Sequence, residues 1–296
     1  MFCYAFAFAL KNAGHEVFVD TAVYKTKTIR NGIDFCHNGL EVQRLFGIEF
    51  TEADIADVRR LSVPADGLFN RVRRKYFTPK THYIDTVFAY TQALLTDKHD
   101  QYLEGYWQTE KYFVPIEQEI RKLFAFKPPL SQKSASVKAR IEHADNTNDL
   151  YHCAALHVRR GDFLATKSLH VCTQTYYNSA IAYVQKNHPD CTFYVFSDDL
   201  VWCRENLSFC GAKTVFVDWN TGTDSWQDMA LMSLCPCNII ANSSFSWWSA
   251  WLNNNPCKLI IAPSVWNRRE LEYKDSYYKY DYSDIVPENW IRIPID

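Results

Sequence analysis

The chain has 296 residues, which at roughly 150 residues per domain predicts two domains. Hydrophobic residues make up 47% and charged residues 22%, a balance that excludes an intrinsically disordered chain. The formal net charge of -2 argues against a protein that coats nucleic acid, so any anion-binding site must be local.

Ten cysteines raise the question of disulfide bonds. The chain is long enough for a large core, and its start, MFCYAFAFAL, has neither a preceding basic segment nor an evident cleavage site. The same segment is too short to cross a bilayer. We therefore expect a cytosolic protein with reduced, mostly buried thiols. CPC at 235–237 lacks a second cysteine pair or histidines at finger spacing, so zinc is not expected.

The first half of the chain carries mostly helical patterns. Residues 1–14 predict a helix that ends at Gly14, and HEVFVD, which ends at Asp20, predicts a strand. Residues 40–125 have helical periodicity with few strand signals. The basic run Arg71–Lys75 lies there. Such runs are usually solvated helix faces, and the alternative is contact with an anionic acceptor or a membrane surface.

A polar segment at Phe126–Asp149 contains two adjacent prolines and ends in Asn and Asp residues, which predicts a linker with a solvent-facing helix. After this segment, short apolar runs alternate with helical patterns. The runs CAALHV, CTFYVFS, KTVFVD, NIIAN and KLIIAP predict five strands. This alternation indicates an α/β domain whose parallel sheet is covered by helices.

Polar side chains follow four of the predicted strands where each one ends. In chain order these are Arg159, Arg160, Gly161 and Asp162, then Asp198 and Asp199, then Asp218, and finally Asn242, Ser243 and Ser244. Ligands of open α/β sheets bind at this edge. Arginine matches phosphate oxygens with a planar fork of donors, and a helix that begins after Ser and Asn residues offers hydroxyl and backbone N–H groups. The alternative is an Arg–Asp salt bridge beside an ordinary helix cap.

Other phosphate-site and catalytic motifs are absent from the sequence. It contains no G-x-x-x-x-G-K-[ST], no G-x-G-x-x-G and no G-x-S-x-G. It also contains no D-x-D, so a metal bridging a diphosphate has no obvious ligand pair. We expect neither metal nor cofactor, with arginine taking the place of the metal.

Several segments resemble the bacterial α-1,2-fucosyltransferase family. HVRRGDF at 157–163 is similar to its first motif, and Ser225–Asn253 resembles its long second motif. Gly105–Phe113, Leu259–Trp266 and Val286–Ile293 are also similar to the family. The resemblance implies an α/β, GT-B-like fold with two Rossmann-like halves whose parallel sheets face each other across a cleft. It also implies inverting, metal-independent transfer of L-fucose from GDP-fucose to the 2-hydroxyl of a terminal galactoside.

On this resemblance, we expect an acceptor-side domain at 1–130, a GDP-fucose-binding domain at 150–275, and a tail at 276–296 that packs back. The sequence departs from the family at its start, where members usually have a strand and a G-G-L-G-N-Q-like turn before the first helix. We expect GDP binding to survive without that turn and fucose transfer to be weak or absent. Cys237 and Ser249 stand where the family often has histidine and glycine, and we expect neither change to abolish binding.

The interpretation assigns roles to the residues at the sheet edge. Arg159 and Arg160 stabilise the departing diphosphate. Asp162 either orients an arginine or acts as base, and His157, on the same strand face as Arg159, is a catalytic candidate or a core histidine. The remaining candidates for donor binding are Asp198, Asp228, Asn242, Ser243 and Ser244, with guanine as the expected ligand of Asp198 and Asp228.

Four alternatives remain open at this point. The first two are enzymes: a fucosyltransferase of different linkage, or a hydrolase of GDP-fucose. The third is a protein that binds a GDP-sugar or a glycan without turnover. The fourth is a nucleic-acid-binding protein, which the net charge disfavours. The expected partners are GDP-fucose and a galactose-terminated oligosaccharide. We expect a cytoplasmic location, with peripheral membrane contact through Arg71–Lys75 as an additional hypothesis.

Overall fold

The computed structural model describes residues 1–25, 29–30, 33–34, 40–64, 68–143, 151–268 and 281–296. They form two compact units. The first unit extends from Met1 to Lys127 and includes residues 281–285, and the second begins at Pro128 and includes residues 286–296. The division lies inside the segment predicted as a linker, directly before its two prolines.

Short helices dominate the first unit. Its described helices are α1 (Phe2–Asn12), α2 (Ala22–Lys25), α3 (Glu41–Phe46), α4 (Ile55–Leu61), α5 (Leu68–Tyr76), α6 (Ala93–Thr96) and α7 (Glu117–Leu123). Its strands are β1 (Ile29–Arg30), β2 (Ile33–Asp34), β3 (His82–Ile84) and β4 (Tyr102–Glu104). β1 pairs antiparallel with β2, and β3 pairs parallel with β4. Helices therefore prevail between residues 40 and 125, as predicted.

Helix α1 ends as the sequence predicts. Gly14 has φ +83°, a conformation that glycine adopts without the steric penalty of a side chain. The backbone nitrogens of Gly14 and His15 donate to the carbonyls of Lys11 and Leu10, so two terminal carbonyls of the helix are satisfied. The buried face of α1 repeats every three to four residues: Phe2, Ala5, Phe6, Ala9 and Leu10.

The strand predicted for HEVFVD does not form, and this prediction is wrong. Only Val19 has a β-type partner, an isolated parallel bridge to Glu52. Its backbone nitrogen donates to the Thr51 carbonyl and its own carbonyl accepts from Ala53. The short run of β-branched and aromatic residues at 17–19 indicated a strand. A strand requires successive hydrogen-bonded residues on a neighbour, and here the pairing extends over one residue.

The second unit is an α/β domain. Its strands are β5 (Cys153–Val158), β6 (Thr192–Ser197), β7 (Thr214–Val217), β8 (Cys237–Ile239), β9 (Leu259–Pro263) and β10 (Ile291–Ile293). Its helices are α8 (Gln132–His143), α9 (Gln174–Asn187), α10 (Leu200–Asn206), α11 (Trp226–Met232) and α12 (Ser244–Leu252). All strand pairs are parallel, in the order β10-β9-β8-β5-β6-β7. This is the doubly wound Rossmann order, with the chain reversing direction across the sheet between β5 and β8.

Both faces of this sheet are buried, which explains the continuous apolar run of β5. Ala154, Leu156 and Val158 pack on one face in a core that includes Tyr176 and Tyr177 of α9. Cys153 and Ala155 point to the other face and belong to a second core. That core also contains residues of α8 and α11: Val137, Ile141, Leu231 and Met232. Successive strand residues alternate between the two cores, so both must be apolar.

Two details of the second unit correct the sequence prediction. Helix α8 is not solvent-facing, because Ser134, Val137 and Ile141, spaced three and four residues apart, are buried against the sheet. The small residues of α8 made its packing face difficult to distinguish in sequence. A sixth strand, β10, comes from the tail and pairs with β9, in register Ile291 with Ile261.

The basic run Arg71–Lys75 lies on α5, and it is not uniformly solvated. The Arg74 guanidinium turns inward and donates to both carboxylate oxygens of Glu104 and to the Val63 carbonyl. Arg73 and Lys75 are exposed. The run therefore contains one structural arginine, which charge patterning alone did not distinguish from its neighbours.

The predicted mixed α/β architecture with parallel sheets is confirmed. In the first unit, parallel pairing among the described residues is confined to β3 with β4 and to the bridge at Val19. The nine cysteines within the described residues are free thiols, and six of them are buried. In the part of the chain that the structure describes, no helix has the length and apolar character needed to cross a membrane.

Candidate active site

The candidate site lies at the point where the strand order reverses. β5 and β8 are neighbours, with Ala155 opposite Asn238 and Leu156 opposite Ile239, and both run in the same direction. Residues 159–162 follow β5, and residues 242–244 follow β8 and begin α12. In doubly wound sheets, the crevice outside these two strand ends is where ligands bind.

The loop after β5 is fixed to the loop after β6. The Arg160 backbone nitrogen donates to Oδ1 of Asp198 over 2.9 Å. A Cβ atom on Gly161 would lie only 2.6 Å from Oδ2 of the same carboxylate. Glycine is therefore required at 161 by the close approach of Asp198. The polar side chains of the loop after β5 and of the loop after β6 consequently lie close together.

Arg159 is held by two carboxylates. Its guanidinium contacts Asp162 at 2.6 Å and Asp198 at 3.1 Å. The same guanidinium lies 5.5 Å from the Phe163 ring centroid. Asp162 therefore orients the arginine, one of the two roles that the sequence left open. About a third of the Arg159 side chain remains exposed.

Arg160 faces different partners. Its Nε contacts Asp199 at 3.1 Å, and its guanidinium stacks over the Trp202 ring with 3.9 Å to the centroid. Asp199 also caps α10 by accepting from the Trp202 backbone nitrogen. This bond, ahead of the charge of Arg160, lowers the pKa of the Asp199 carboxyl. Trp202 was not predicted as a site residue from the sequence, and its contact with Arg160 is known only from the structure.

His157 is buried on the face of β5 that also carries Ala155, with its ring 5.6 Å from that of Phe245 in α12. Burial, followed by the nearby charge of Arg159, lowers the pKa of His157 to about 3. The imidazole is therefore neutral near neutral pH. Within the described structure its Nδ1 has no hydrogen-bond partner. Its burial agrees with the alternative of a core histidine, and the unpartnered atom is Nδ1.

Asp228 lies in the first turn of α11, the helix that connects β7 to β8. It accepts a hydrogen bond from Asn220 Nδ2 at 2.7 Å, and Asn220 in turn accepts from Ser134 of α8 at 3.0 Å. Burial raises the pKa of the Asp228 carboxyl to about 7, against the opposing effect of the Asn220 bond. The carboxyl is therefore divided between its neutral and charged forms at neutral pH.

The residues after β8 serve different purposes. Asn242 is buried and donates to the carbonyls of Leu169 and Trp266, both at 2.9 Å. Its Oδ1 accepts from the Cys172 thiol, so the amide holds neighbouring loops together. Ser243 caps α12 by accepting from the Phe245 backbone nitrogen at 3.3 Å. Ser244 is exposed at the helix start, so of these three candidates it is the one with an accessible side chain.

The structure thus joins some of the predicted site residues directly. Arg159, Arg160, Asp162 and Asp198 form one hydrogen-bonded cluster, and His157 precedes it on the same strand. Asp228 belongs to a separate network with Asn220 and Ser134. Within the described ranges, no group of three or more histidine, cysteine or acidic side chains is arranged to hold a metal ion.

Comparison with known families assigns the chain. The model of glycosyl transferase family 11 matches residues 72–286, which is most of the chain and includes every candidate residue above. The chain belongs to glycosyl transferase family 11.

Relatives of this family 11 chain come from bacteria and from primates. It is similar to an alpha-1,2-colitosyltransferase of Escherichia coli, with 33% identity over 64% of this chain and 61% of that protein. It is also similar to the O-antigen biosynthesis glycosyltransferase WbnK of Escherichia coli, with 30% identity over 72% of this chain and 70% of that protein. Galactoside alpha-(1,2)-fucosyltransferase 1 of Plecturocebus brunneus is 27% identical over 51% of this chain and 42% of its own length.

Proposed function

We propose that this chain transfers L-fucose from GDP-fucose to the 2-hydroxyl of a terminal galactoside, with inversion and without a metal ion. The observation that carries the proposal is the pair Arg159 and Arg160 after β5, at the sheet's reversal point, in a family 11 chain. The names of two relatives, an alpha-1,2-colitosyltransferase and a galactoside alpha-(1,2)-fucosyltransferase, support the 1,2 linkage, and the second name supports fucose as the sugar.

The arginines supply the electrostatic part of the reaction. Breaking the bond between fucose and phosphate leaves negative charge on the diphosphate, and fixed donors aimed at that charge lower the barrier. Arg159 is paired with Asp162 and Asp198, and Arg160 with Asp199. These carboxylates hold the guanidinium groups in fixed orientations at the strand ends.

The acidic residues then take different roles. Asp162 and Asp198 each accept from Arg159, so both position the arginines, and guanine recognition falls to Asp228. Asn220 engages one oxygen of Asp228, which leaves the other oxygen to accept a hydrogen bond from the guanine edge when the carboxyl is ionised. His157 is buried and its low pKa makes it a poor proton acceptor, so we assign the role of base to neither its ring nor Asp162.

A transfer assay tests the proposal. The chain is incubated with GDP-fucose and a β-galactoside, and released GDP, free fucose and the product linkage are measured. We expect GDP and an α-1,2-linked product in equal amounts. Free fucose without product would favour hydrolysis, GDP binding without GDP release would favour a binding protein, and another linkage would correct the position of attack.

A second donor deserves the same assay. Because the 33% identical relative is named a colitosyltransferase, a colitosyl donor is tested beside GDP-fucose. The donor with the higher kcat/KM identifies the sugar. Binding of a short DNA or RNA duplex is measured at low and high salt to test the nucleic-acid alternative, and we expect no salt-dependent binding. We also propose a cytoplasmic location for the protein.

A further inference from the structure

Helix α5 presents an exposed face that combines apolar and basic side chains. Phe69, Val72, Arg73 and Tyr76 are exposed and are spaced at i, i+3, i+4 and i+7, which places them on one side of the helix. Phe77, which directly follows the helix, is also exposed. The exposed fractions reach 80% for Phe69, 73% for Phe77 and 65% for Tyr76. Scattered single apolar residues are ordinary on a protein surface, but a stripe of them on one helix indicates a binding surface.

The opposite side of α5 determines which way this stripe points. Arg74 lies about half a turn away from Tyr76 and Phe69 and is largely buried, at 13% exposure. Its guanidinium is bidentate to Glu104 of β4 and also donates to the Val63 carbonyl. His82 of β3 contacts the same Glu104 at 3.2 Å while its Nδ1 accepts from the Val63 backbone nitrogen.

This network fixes the rotation of α5 about its axis. Burial opposes ionisation of Glu104, but the hydrogen bonds from His82 and Arg74 outweigh it and hold the pKa of the carboxyl at about 2. Glu104 is therefore charged at every physiological pH, and the ion pair with Arg74 persists. The apolar stripe therefore lies on the side of α5 opposite this ion pair.

The charge of α5 identifies the partner. Its sequence, LFNRVRRKY, contains four basic residues and no acidic residue. Of the four, Arg74 is committed to Glu104, whereas Arg73 and Lys75 are exposed on or beside the stripe. The Lys75 ammonium lies 5.1 Å from the Tyr76 ring centroid, so a cation and an aromatic ring share one location.

We propose that the α5 face, defined as Phe69, Val72, Arg73, Lys75, Tyr76 and Phe77, binds an anionic lipid surface. Amphipathic helices with apolar and aromatic residues on one face and basic residues at its border lie in membrane interfaces. The phenylalanine rings enter the boundary with the acyl chains, and the tyrosine ring lies at the headgroup level. Arg73 and Lys75 then face the anionic headgroups. This differs from binding through the Arg71–Lys75 run alone, because the aromatic side chains contribute and Arg74 does not.

Flotation with lipid vesicles tests this proposal on the full chain. The vesicles contain phosphatidylcholine alone or phosphatidylcholine mixed with phosphatidylglycerol, at low and high salt. We expect binding to the anionic vesicles that weakens with salt, because salt screens the attraction to the surface. Failure of the wild-type chain to bind anionic vesicles at low salt overturns the proposal, whatever its transferase activity.

Matched variants distinguish binding through the α5 face from non-specific hydrophobic adsorption. Phe69→Ser with Phe77→Ser is expected to weaken binding at least about tenfold, because a fully buried phenylalanine contributes more than a factor of ten. The control is Ile55→Ser with Val114→Ser, two exposed apolar residues elsewhere in the same unit, which should leave binding unchanged. Equal losses in both pairs would contradict the assignment.

The charges have their own pair of variants. Arg73→Gln with Lys75→Gln is expected to weaken binding by roughly fivefold for each charge removed. Arg59→Gln with Lys122→Gln removes the same charge from α4 and α7 and is expected to change binding little. Sedimentation velocity without lipid completes the test. If the α5 face instead mediates association between copies of the chain, Phe69→Ser will dissolve oligomers while vesicle binding is absent, which would overturn the proposal.

Discussion

The backbone nitrogen of Arg160 donates a 2.9 Å hydrogen bond to Oδ1 of Asp198, while Oδ2 of Asp198 contacts the Arg159 guanidinium at 3.1 Å. One carboxylate therefore binds the main chain of one arginine and the side chain of the other. Asp198 follows β6 and the arginines follow β5, so the bond connects adjacent strand ends. The orientation of the arginine pair depends on a residue from another strand.

Replacement of either arginine should reduce transfer. Arg159→Ala and Arg160→Ala are each expected to lower kcat/KM by about 10²- to 10³-fold, the usual effect of losing one donor that stabilises developing negative charge. Arg160→Lys should be impaired as well, since lysine provides neither the planar fork nor the stacking on Trp202. Initial rates of GDP release measure the effect.

Arg204 provides the matched control for these variants. Its guanidinium also stacks on a ring, 3.9 Å from the Phe216 centroid, and it lies near Asp218, but it is on the body of α10. Arg204→Ala should retain most activity and a similar melting temperature. Comparable losses in the Arg204 and Arg160 variants would show that the effect is structural and would contradict the role in phosphate binding.

Gly161→Ala tests the close approach of the two loops. The new methyl group would meet Asp198 Oδ2 at 2.6 Å, so we expect a loss of stability of about 1–3 kcal/mol together with reduced transfer. In an Asp198→Ala background the same substitution should cost little, because the clashing oxygen is gone. Additive costs in the double variant, measured by urea unfolding, would show that the clash is elsewhere.

Asp228→Asn should change how stability depends on pH. Because burial raises the pKa of Asp228 from 3.8 to about 7 in the folded state, the folded protein binds more protons than the unfolded chain between these values. Stability due to this group is therefore present below about pH 4 and is lost as the pH rises to about 7.

Asparagine at 228 does not ionise, so the variant does not lose stability between about pH 4 and 7. Its side-chain oxygen can still accept the hydrogen bond from Asn220. Relative to the native chain, it should become more stable by up to a few kcal/mol between pH 4 and 8. Urea unfolding at several pH values measures this, with the exposed Asp190→Asn as control for the change of net charge. A constant difference between variant and native chain across the range would refute the buried-carboxyl interpretation.

Chelation should leave transfer unchanged. The proposed stabilisation of the diphosphate relies on Arg159 and Arg160, so dialysis against EDTA is expected to leave the rate within error, and added Mn²⁺ or Mg²⁺ should not raise it. Loss of activity on dialysis that either ion restores would show that a metal takes part in the reaction.

Prediction from sequence worked best where local pattern and tertiary environment agree. β5 was predicted at Cys153–Val158, its observed bounds, because a strand buried on both faces is apolar throughout. Prediction from sequence failed where hydrogen bonding between strands decides whether a segment forms a strand. HEVFVD has the residue types of a strand but is paired only at Val19, and Ile291–Ile293 is a strand because β9 lies beside it. Hydrogen bonding to a distant segment is not visible in a local pattern.

The candidate site shows the same division. Its location followed from sequence, since polar residues after parallel strands gather at one sheet edge. The sequence did not show which of these side chains are free to contact a ligand. Asn242 and Ser244 are both plausible phosphate ligands by residue type, but Asn242 bonds to Leu169 and Trp266 while Ser244 is exposed.

The sequence by itself determined the α/β alternation of the second unit, the strand-end position of Arg159 and Arg160, and the similarity to a glycosyltransferase family. Each of these depends on residue order along one segment. Only the tertiary structure decided the partners of those arginines, the neutral state of His157 and the inward turn of Arg74. The physical reason is that ion pairing and desolvation depend on which distant segments come within a few ångströms, and neither composition nor periodicity encodes that distance.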